Sequence, residues 1–273
     1  MAKRVIVTRP AEQAAAWTDA LQAAGLNVLS LPLIAIGAPP DPQAVEQAWE
    51  RIATFDSVMF VSANAARYFF RLKPMHVPVQ DGGAPFHARA LATGPGTVAA
   101  LRDCGVPADA IVAPDAHSGQ FDSEALWQVI RARVRPGHRI LIVRGAQDAA
   151  DDSQADADPA STGAGRDWFA QQAGAVGARV DFVVAYRRQA PVLQGQEALV
   201  LQSAAQDASV WLFSSSEAVV NLQVICPGRN WSQARAVATH PRIAQAAREA
   251  GFGTVLVSRP ALGELVASIE SLP

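Results

Sequence analysis

Ala88-Arg89-Ala90-Leu91-Ala92-Thr93-Gly94-Pro95 and Ala234-Arg235-Ala236-Val237-Ala238-Thr239-His240-Pro241 are two stretches of one chain that agree at six of eight positions. Each reads as a short apolar strand followed by a helix that starts with proline, whose missing N–H is tolerated at the first helical position. Each then continues through an alanine-rich helix to Gly105 or Gly251 and a further strand. Self-similarity at this wide spacing indicates duplication of an α/β unit.

Other segments of the chain are repeated as well. Residues 58–66 resemble residues 210–218, and residues 4–9 resemble residues 139–144. The unit that starts with residues 4–9 comes before both copies of the other repeated segments. Its copy, which starts with residues 139–144, comes between those two copies. We therefore expect the N-terminal unit to pack with the last third of the chain.

The alternation of strands and helices predicts parallel sheets that are covered on both faces. The predicted fold is α/β, with two similar parallel-sheet αβα domains of the flavodoxin-like kind joined by a two-strand antiparallel linker. The discontinuous domain comprises residues 1–35 plus 187–273, and the other domain comprises residues 38–184. Extended runs at 31–37 and 180–187 are predicted to form an inter-domain β-ladder. Such a tether would allow hinge motion around a ligand-binding cleft.

Composition narrows the class of protein. The chain has 273 residues, of which 50% are hydrophobic, and a net charge of −2, so no basic surplus suggests binding to nucleic acid or to anionic membranes. Its two cysteines stand far apart and predict free thiols in a cytoplasmic protein. We expect no membrane span, because no stretch approaches ~18 uninterrupted apolar residues, and no signal peptide, because the first apolar run is too short.

One segment differs from the rest of the chain. Residues 146–164 contain several aspartates and neither lysine nor arginine, so the segment cannot bury apolar surface and is expected to form a mobile acidic loop. A metal site built from these side chains is the alternative. The aspartates are Asp148, Asp151, Asp152, Asp156 and Asp158.

Polar residues follow most of the predicted strands. In open parallel sheets, ligands bind beyond the carboxyl ends of the strands. Helix N-termini stabilise anions there, and arginine binds carboxylates through two hydrogen bonds. The set predicts an anion-binding site, although each serine or threonine could instead be a helix N-cap. The candidates are Thr8, Arg9, Ser62, Ala63, Asn64, Thr93, Gly94, Arg144, Gly145, Ser214, Ser215, Ser216, Thr239, His240, Ser258 and Arg259.

Two further motifs leave alternatives open. Residues 94–99 have the Gly-x-Gly-x-x-Ala spacing of a dinucleotide fingerprint, but they follow an interior strand, and the repeat copy has no glycines there. Tyr186 is one of only two tyrosines and ends the second extended run. Its phenol could donate a proton or a hydrogen bond to a ligand, or its ring could simply pack against the linker.

Taken in order, these motifs resemble the uroporphyrinogen-III synthase family along nearly the whole chain. The resemblance rests on Val5-Ile6-Val7-Thr8-Arg9-Pro10, Leu31-Pro32-Leu33-Ile34, Val61-Ser62-Ala63-Asn64-Ala65, Thr93-Gly94-Pro95-Gly96-Thr97, Leu141-Ile142-Val143-Arg144-Gly145, Val184-Ala185-Tyr186-Arg187, Phe213-Ser214-Ser215 and Arg259-Pro260.

The resemblance implies a HemD-like fold of two α/β domains joined by a β-ladder. It also implies a cyclising hydro-lyase of haem biosynthesis, which closes linear hydroxymethylbilane to uroporphyrinogen III with inversion of ring D and loss of water through a spiro intermediate. Tyr186 corresponds to the residue that assists loss of the hydroxyl, and Thr97 matches a substrate-binding hydroxyl. The substrate is a linear tetrapyrrole with eight carboxylates, and the resemblance implies no cofactor and no metal. We expect the protein to be a monomer.

The chain departs from the family pattern in two places. The second copy reads His240-Pro241-Arg242-Ile243, without the family's hydroxyl at Ile243, and the acidic segment is inserted after Gly145. His240 or Arg242 could replace the missing hydroxyl. The alternatives to the synthase are a non-catalytic two-domain binder of a small anionic ligand and an NAD-dependent oxidoreductase.

Overall fold

The computed structural model describes residues 3–77, 87–115, 122–146, 164–207 and 209–272. The predicted acidic loop lies almost wholly outside these residues. The chain divides into two compact units, Met1–Ile36 with Gln189–Pro273, and Gly37–Arg188. No helix in the described ranges is long and apolar enough to cross a membrane.

Strands and helices alternate through both units. In chain order they are β1 (Arg4–Val7), α1 (Ala11–Ala23), β2 (Asn27–Ser30), β3 (Ala35–Gly37), α2 (Pro42–Glu50), β4 (Ser57–Phe60), α3 (Ala63–Arg71), β5 (Arg89–Ala92), α4 (Pro95–Asp103), β6 (Ile111–Val112), α5 (Ser123–Ile130), β7 (Arg139–Ala146), α6 (Ala164–Ala175), β8 (Arg179–Gln189), α7 (Gln196–Ala204), β9 (Val210–Phe213), α8 (Ser216–Ile225), β10 (Arg235–Ala238), α9 (Pro241–Glu249), β11 (Thr254–Val257) and α10 (Leu262–Ser271).

The sheet of the discontinuous unit has the order β11-β10-β9-β1-β2, and all its pairs are parallel. Strand β1 lies in its interior, where Val5 pairs with Val28 on one side and with Val210 on the other. Every residue of β9 is buried, as expected for a strand whose two faces are both covered. A strand from the N-terminus is therefore part of a sheet built mainly from the last third of the chain.

The second sheet has the order β3-β8-β7-β4-β5-β6. Its strands from β8 to β6 pair in parallel. When the repeated segments are matched in order, β6-β5-β4-β7-β8 corresponds to β11-β10-β9-β1-β2. The predicted α/β fold with two similar parallel-sheet units is confirmed.

The repeated glycines end equivalent helices. Gly105 follows α4 with a φ of 86°, and Gly251 follows α9 with a φ of 94°. Residues with a side chain rarely adopt this left-handed conformation, so glycine is favoured immediately after a helix. At the other end, Pro95 and Pro241 occupy the first turn of α4 and α9, as the sequence predicts.

Two local predictions differ from the structure. The sequence analysis assigns no element between residues 188 and 209, yet α7 lies there and packs Val200 and Leu201 into the core of its unit. Of the extended run predicted at residues 31–37, only Ala35–Gly37 forms a strand, β3, which follows β2 along the chain. Leu33 lies between these strands with its side chain buried, and its carbonyl accepts a hydrogen bond of 2.8 Å from Asn221 Nδ2.

Candidate active site

The polar residues predicted at strand ends lie on the carboxyl edges of the two sheets. In the second unit, residues 62–64 follow β4 and residues 93–94 follow β5. Arg144 and Gly145 lie near the end of β7, and Tyr186 lies near the end of β8. Because β4, β5, β7 and β8 run parallel, these residues collect on one edge of one sheet.

A shift in strand register decides where Tyr186 points. Arg144 of β7 pairs with Val184 of β8, but Gly145 pairs with Tyr186, so Ala185 is left without an opposite residue. Side chains alternate between the faces of a sheet, and an extra residue in one strand moves those after it to the other face. Tyr186 therefore shares a face with Gly145 instead of with Arg144.

The Tyr186 ring lies directly against the backbone of Gly145. A Cβ atom on Gly145 would be 2.5 Å from Tyr186 Cζ, and 2.8 Å and 2.9 Å from the two Cε atoms. These three carbons form the hydroxyl-bearing end of the ring. The side chain is buried, with 7% of the residue's surface exposed. The Tyr186 ring therefore packs against its neighbours, as the alternative interpretation of the sequence expects.

The Tyr186 hydroxyl has a defined partner after β4, a strand that β7 separates from β8. Its oxygen lies 3.2 Å from Ser62 Oγ, and either oxygen could be the donor. Ser62 is also the N-cap of α3, where its Oγ accepts a hydrogen bond from the Ala65 N–H at 3.1 Å. The Tyr68 ring, from the same helix, lies 6.0 Å from the Tyr186 ring between centroids.

Arg144 presents a cation on the opposite face of β7. Its guanidinium carbon lies 5.1 Å from the centre of the Phe182 ring, which is a cation–π contact. Its Nε is buried and has no hydrogen-bond partner among the described residues. A buried N–H without a partner is costly, so Arg144 retains an unused hydrogen-bond donor near the carboxyl edge of the sheet.

In the discontinuous unit, Thr8 and Arg9 follow β1 but have different environments. Thr8 is buried, and its hydroxyl donates to the Leu212 carbonyl at 2.8 Å. Arg9 lies with its guanidinium carbon 4.5 Å from the centre of the Trp17 ring, and its Nη2 donates to Gln13 Oε1 at 3.1 Å. Burial lowers the pKa of Arg9 below its ordinary value. The Thr8 hydroxyl stabilises the sheet, and only Arg9 of this pair has a charged group to offer a ligand.

The three serines that follow β9 are not simple caps. Ser215 is the N-cap of α8 but makes no side-chain capping hydrogen bond. The Oγ of Ser216 is buried and has no partner among the described residues. Ser214 is half-buried beside them. The N-cap alternative therefore holds for Ser62 and not for Ser215.

The second copy of the duplicated motif is exposed at residues 240–242. His240 is exposed and caps α9 through its Nδ1, which accepts a hydrogen bond of 3.2 Å from the Arg242 N–H. Thr239 is half-buried just before it. Ile243, where the family hydroxyl is missing, is buried in the core. On the next strand connection, 83% of the Arg259 side chain is exposed, with Glu264 Oε1 at 3.6 Å.

The first copy differs at the corresponding helix. Thr97 is buried in the first turn of α4, where Gly94 is the N-cap with an extended φ of −163°. A Cβ on Gly96 would meet nothing within 4 Å. A dinucleotide fingerprint needs its glycines for a tight turn and for close approach of the backbone, and neither need is visible here. The spacing of residues 94–99 is therefore weak support for a nucleotide site.

Sequence reasoning missed two side chains that shape these edges. The helical pattern places Trp17 on the apolar side of α1, yet its ring lies under the Arg9 guanidinium. Tyr68 carries no motif, although it is the only other tyrosine in the sequence and lies near Tyr186. Neither has a local signal, because each acquires its neighbour through the packing of a helix on a strand end.

Comparison with known proteins shows the family to which the chain belongs. The family model for uroporphyrinogen-III synthase HemD matches residues 15–152 and 159–267. The chain belongs to the uroporphyrinogen-III synthase family. The predicted family and its class of enzyme, a cyclising lyase of tetrapyrrole biosynthesis, are thereby confirmed. Nothing in the comparisons favours the non-catalytic binder or the oxidoreductase.

Solved structures of other uroporphyrinogen-III synthases resemble this family member along its whole length. A synthetase from Helicobacter pylori 26695 has a TM-score of 0.54 at 14% identity, with 100% of each chain covered, which supports the fold. A mutant synthase from the extremely thermophilic bacterium Thermus thermophilus has a TM-score of 0.47 at 16% identity, with 98% of each chain covered.

The described part of this family member was predicted to need no metal, and its potential metal ligands are scattered. It contains no group of three or more His, Cys, Asp or Glu side chains that could hold a metal ion. The predicted alternative of a metal site on the acidic loop falls on Asp148, Asp151, Asp152, Asp156 and Asp158, which lie outside the described residues.

Proposed function

We propose that this protein closes linear hydroxymethylbilane to uroporphyrinogen III, with inversion of ring D and loss of water through a spiro intermediate. Membership of the synthase family is the observation that carries the proposal. The residues at the carboxyl edges of the two sheets support it, since they include a phenol, several hydroxyls and arginines. Such groups suit a small substrate that carries many carboxylates.

Tyr186 is proposed to assist the first chemical step. The bond between the terminal carbon and its hydroxyl breaks, and the leaving oxygen takes a proton to depart as water. The Tyr186 O–H can supply this proton while Ser62 Oγ, 3.2 Å away, holds the phenol oxygen. An azafulvene-like cation remains, and the phenol is restored by the proton released when the closed ring system regains its aromatic pyrroles.

The rest of the catalysis is proposed to be positioning and electrostatic stabilisation. Ring closure through a spiro intermediate requires that the cation be held so that it meets the substituted carbon of ring D. We assign substrate binding to the carboxyl-edge residues Thr8, Arg9, Ser62, Ala63, Asn64, Thr93, Gly94, Thr97, Arg144, Gly145, Ser214, Ser215, Ser216, Thr239, His240 and Arg259. Among them, the free Nε of Arg144 and the stacked guanidinium of Arg9 carry most weight.

The remaining proposals concern partners and location. We propose that the enzyme acts as a monomer in the cytoplasm and does not bind nucleic acid. Its net charge of −2 supports the absence of nucleic-acid binding, and its two unpaired cysteines support the location. A molar mass of 28.8 kDa by light scattering is the expected result for the monomer, and twice that mass would contradict it.

The activity is tested with freshly generated hydroxymethylbilane. The purified protein is added, the products are oxidised, and the type-I and type-III isomers are separated by chromatography. We expect the type-III isomer to dominate and its yield to rise with protein concentration. If only the type-I isomer forms, at the rate seen without protein, the proposed function is wrong.

A further inference from the structure

The feature of interest is the close approach between Gly145 and the hydroxyl end of the Tyr186 ring. A Cβ on Gly145 would lie 2.5 Å from Cζ, the carbon that bears the Tyr186 hydroxyl. Real Cβ atoms essentially never approach a carbon so closely, so the ring occupies space that any other residue at position 145 would fill.

Backbone conformation does not explain the glycine. Gly145 is absent from the described glycines with positive φ, so its backbone is one that an L-amino acid could adopt. The remaining explanation for the glycine is the space that the Tyr186 ring needs. The register shift after Arg144 is the reason, because it brings Tyr186 opposite Gly145 and onto the same face of the sheet.

The Tyr186 ring has little freedom to move away from an added methyl group. It is buried, its oxygen is 3.2 Å from Ser62 Oγ, and Tyr68 lies beside it. To restore an ordinary contact of about 3.5 Å, the hydroxyl end would have to move by about 1 Å. That displacement is enough to break the contact with Ser62, which also holds the start of α3.

We infer that Gly145 is a positioning residue for the reaction: its bare backbone seats the Tyr186 ring and so fixes the phenol oxygen beside Ser62. This inference rests on the proposed role of Tyr186, and it gives Gly145 a task beyond substrate binding. A misplacement of about 1 Å in a catalytic group can reduce the rate about a hundredfold.

A double-mutant cycle separates positioning from direct substrate contact. We expect Gly145→Ala to lower kcat about tenfold to a hundredfold while KM changes less than about threefold. In a Tyr186→Phe background, which already lacks the hydroxyl, Gly145→Ala should lower kcat by no more than about twofold. Multiplying effects, or a rise in KM with kcat unchanged, would instead indicate that Gly145 does not act through the Tyr186 hydroxyl, and would overturn the inference.

The matched control is Gly174→Ala. Gly174 lies in α6 of the same unit, and its added Cβ would meet nothing within 4 Å. Its kcat should stay at the value of the unaltered protein, and its thermal midpoint should not fall, because alanine is favoured over glycine in a helix. A Gly145→Ala enzyme as active as this control would overturn the inference.

A second pair of variants tests the inference when the first variant is unstable. If Gly145→Ala does not fold, the Tyr186→Ala, Gly145→Ala double variant should recover the thermal midpoint of Tyr186→Ala alone, because the clashing ring is gone. Failure to recover it would overturn the inference. The proposed function fails separately, when the unaltered protein itself yields only the type-I isomer.

Discussion

At the scale of single residues, the site is made by side chains that are visible in the sequence but whose partners are not. Tyr186 stands out by its rarity and by its place at a strand end. Its partner Ser62 is one of many candidate hydroxyls, and the contact of 3.2 Å comes from strands β4 and β8, which are separated by β7 in the sheet. The sequence thus predicts the chemistry of the pair but not the pairing.

Removing the Tyr186 hydroxyl should slow the reaction without harming the fold. We expect Tyr186→Phe to lower kcat about tenfold to a hundredfold, toward the low end of what a general acid contributes, because the substrate's hydroxyl leaves readily by itself. The loss of one hydrogen bond should lower the thermal midpoint by no more than about 4 °C. Steady-state kinetics and a thermal melt check both parts, and an unchanged kcat would remove Tyr186 from the mechanism.

Arg9 should depend on the ring beneath it. Its guanidinium carbon lies 4.5 Å from the centre of Trp17, and the stack holds the charge at the carboxyl edge of β1. We expect Trp17→Ala to raise KM about threefold to tenfold with a smaller change in kcat, since a cation–π contact contributes about 0.5–2 kcal/mol. Trp17→Phe, which keeps an aromatic face, is the control and should stay closer to the unaltered KM. Equal KM values for all three proteins would contradict the prediction.

At the scale of elements, the two sheets repeat the same order, but their connections differ in detail. The connection from α9 to β11 contains Gly253, whose added Cβ would lie 1.8 Å from the Ser232 carbonyl oxygen. This approach arises where the segment around Trp231 packs against the start of β11, and the Gly253 N–H donates to the Trp231 carbonyl at 3.3 Å. Both partners belong to backbone, which cannot swing away as a flexible side chain can.

Gly253→Ala should therefore destabilise the discontinuous unit. We expect a loss of about 1–3 kcal/mol in the free energy of unfolding, as for overpacked sites, or a fall of about 4–12 °C in the thermal midpoint. Gly263→Ala in α10 is the matched control, because its Cβ would meet nothing within 4 Å. Calorimetry that shows equal midpoints for the two variants would contradict the close approach.

At the scale of the whole molecule, the chain passes twice between its units, near residues 36–37 and 188–189. The sequence prediction places these boundaries at 35–38 and 184–187, on the argument that the N-terminal unit belongs with the last third. The consequence is that one unit is continuous in sequence, whereas the other needs both ends of the chain. We propose that each unit folds around its own sheet.

Fragments of the chain test this proposal. We expect residues 37–188 to unfold cooperatively in isolation, because strands β4 to β8 are all present. Residues 189–273 should not, since β1 and β2 are missing and the edge of β9 that pairs with β1 is left open. Adding a peptide of residues 1–36 should restore a cooperative melt. Cooperative unfolding of residues 189–273 alone would contradict the proposal.

Local sequence by itself determined the elements, the duplication and the chemical types at the strand ends, because period, turn residues and proline positions act over a few residues. It failed where packing overrides local preference. Helix α7 was not predicted, and the extended run predicted at residues 31–37 forms a strand only from Ala35, since Leu33 is held by Asn221. The sequence also did not distinguish helix N-caps from other serines. Ser62 makes a capping hydrogen bond, whereas Ser215 does not.

Only the tertiary structure decided which residues meet. The sequence determined that Gly145 and Tyr186 stand near strand ends, but a register shift of one residue places them face to face. Register depends on how two strands distant in the chain pair in one sheet, and such pairing is set by the sum of the core contacts on both faces. The same holds for Arg9 on Trp17 and for the phenol beside Ser62. Local sequence selected the chemical groups, and non-local packing set the distances that let them act together.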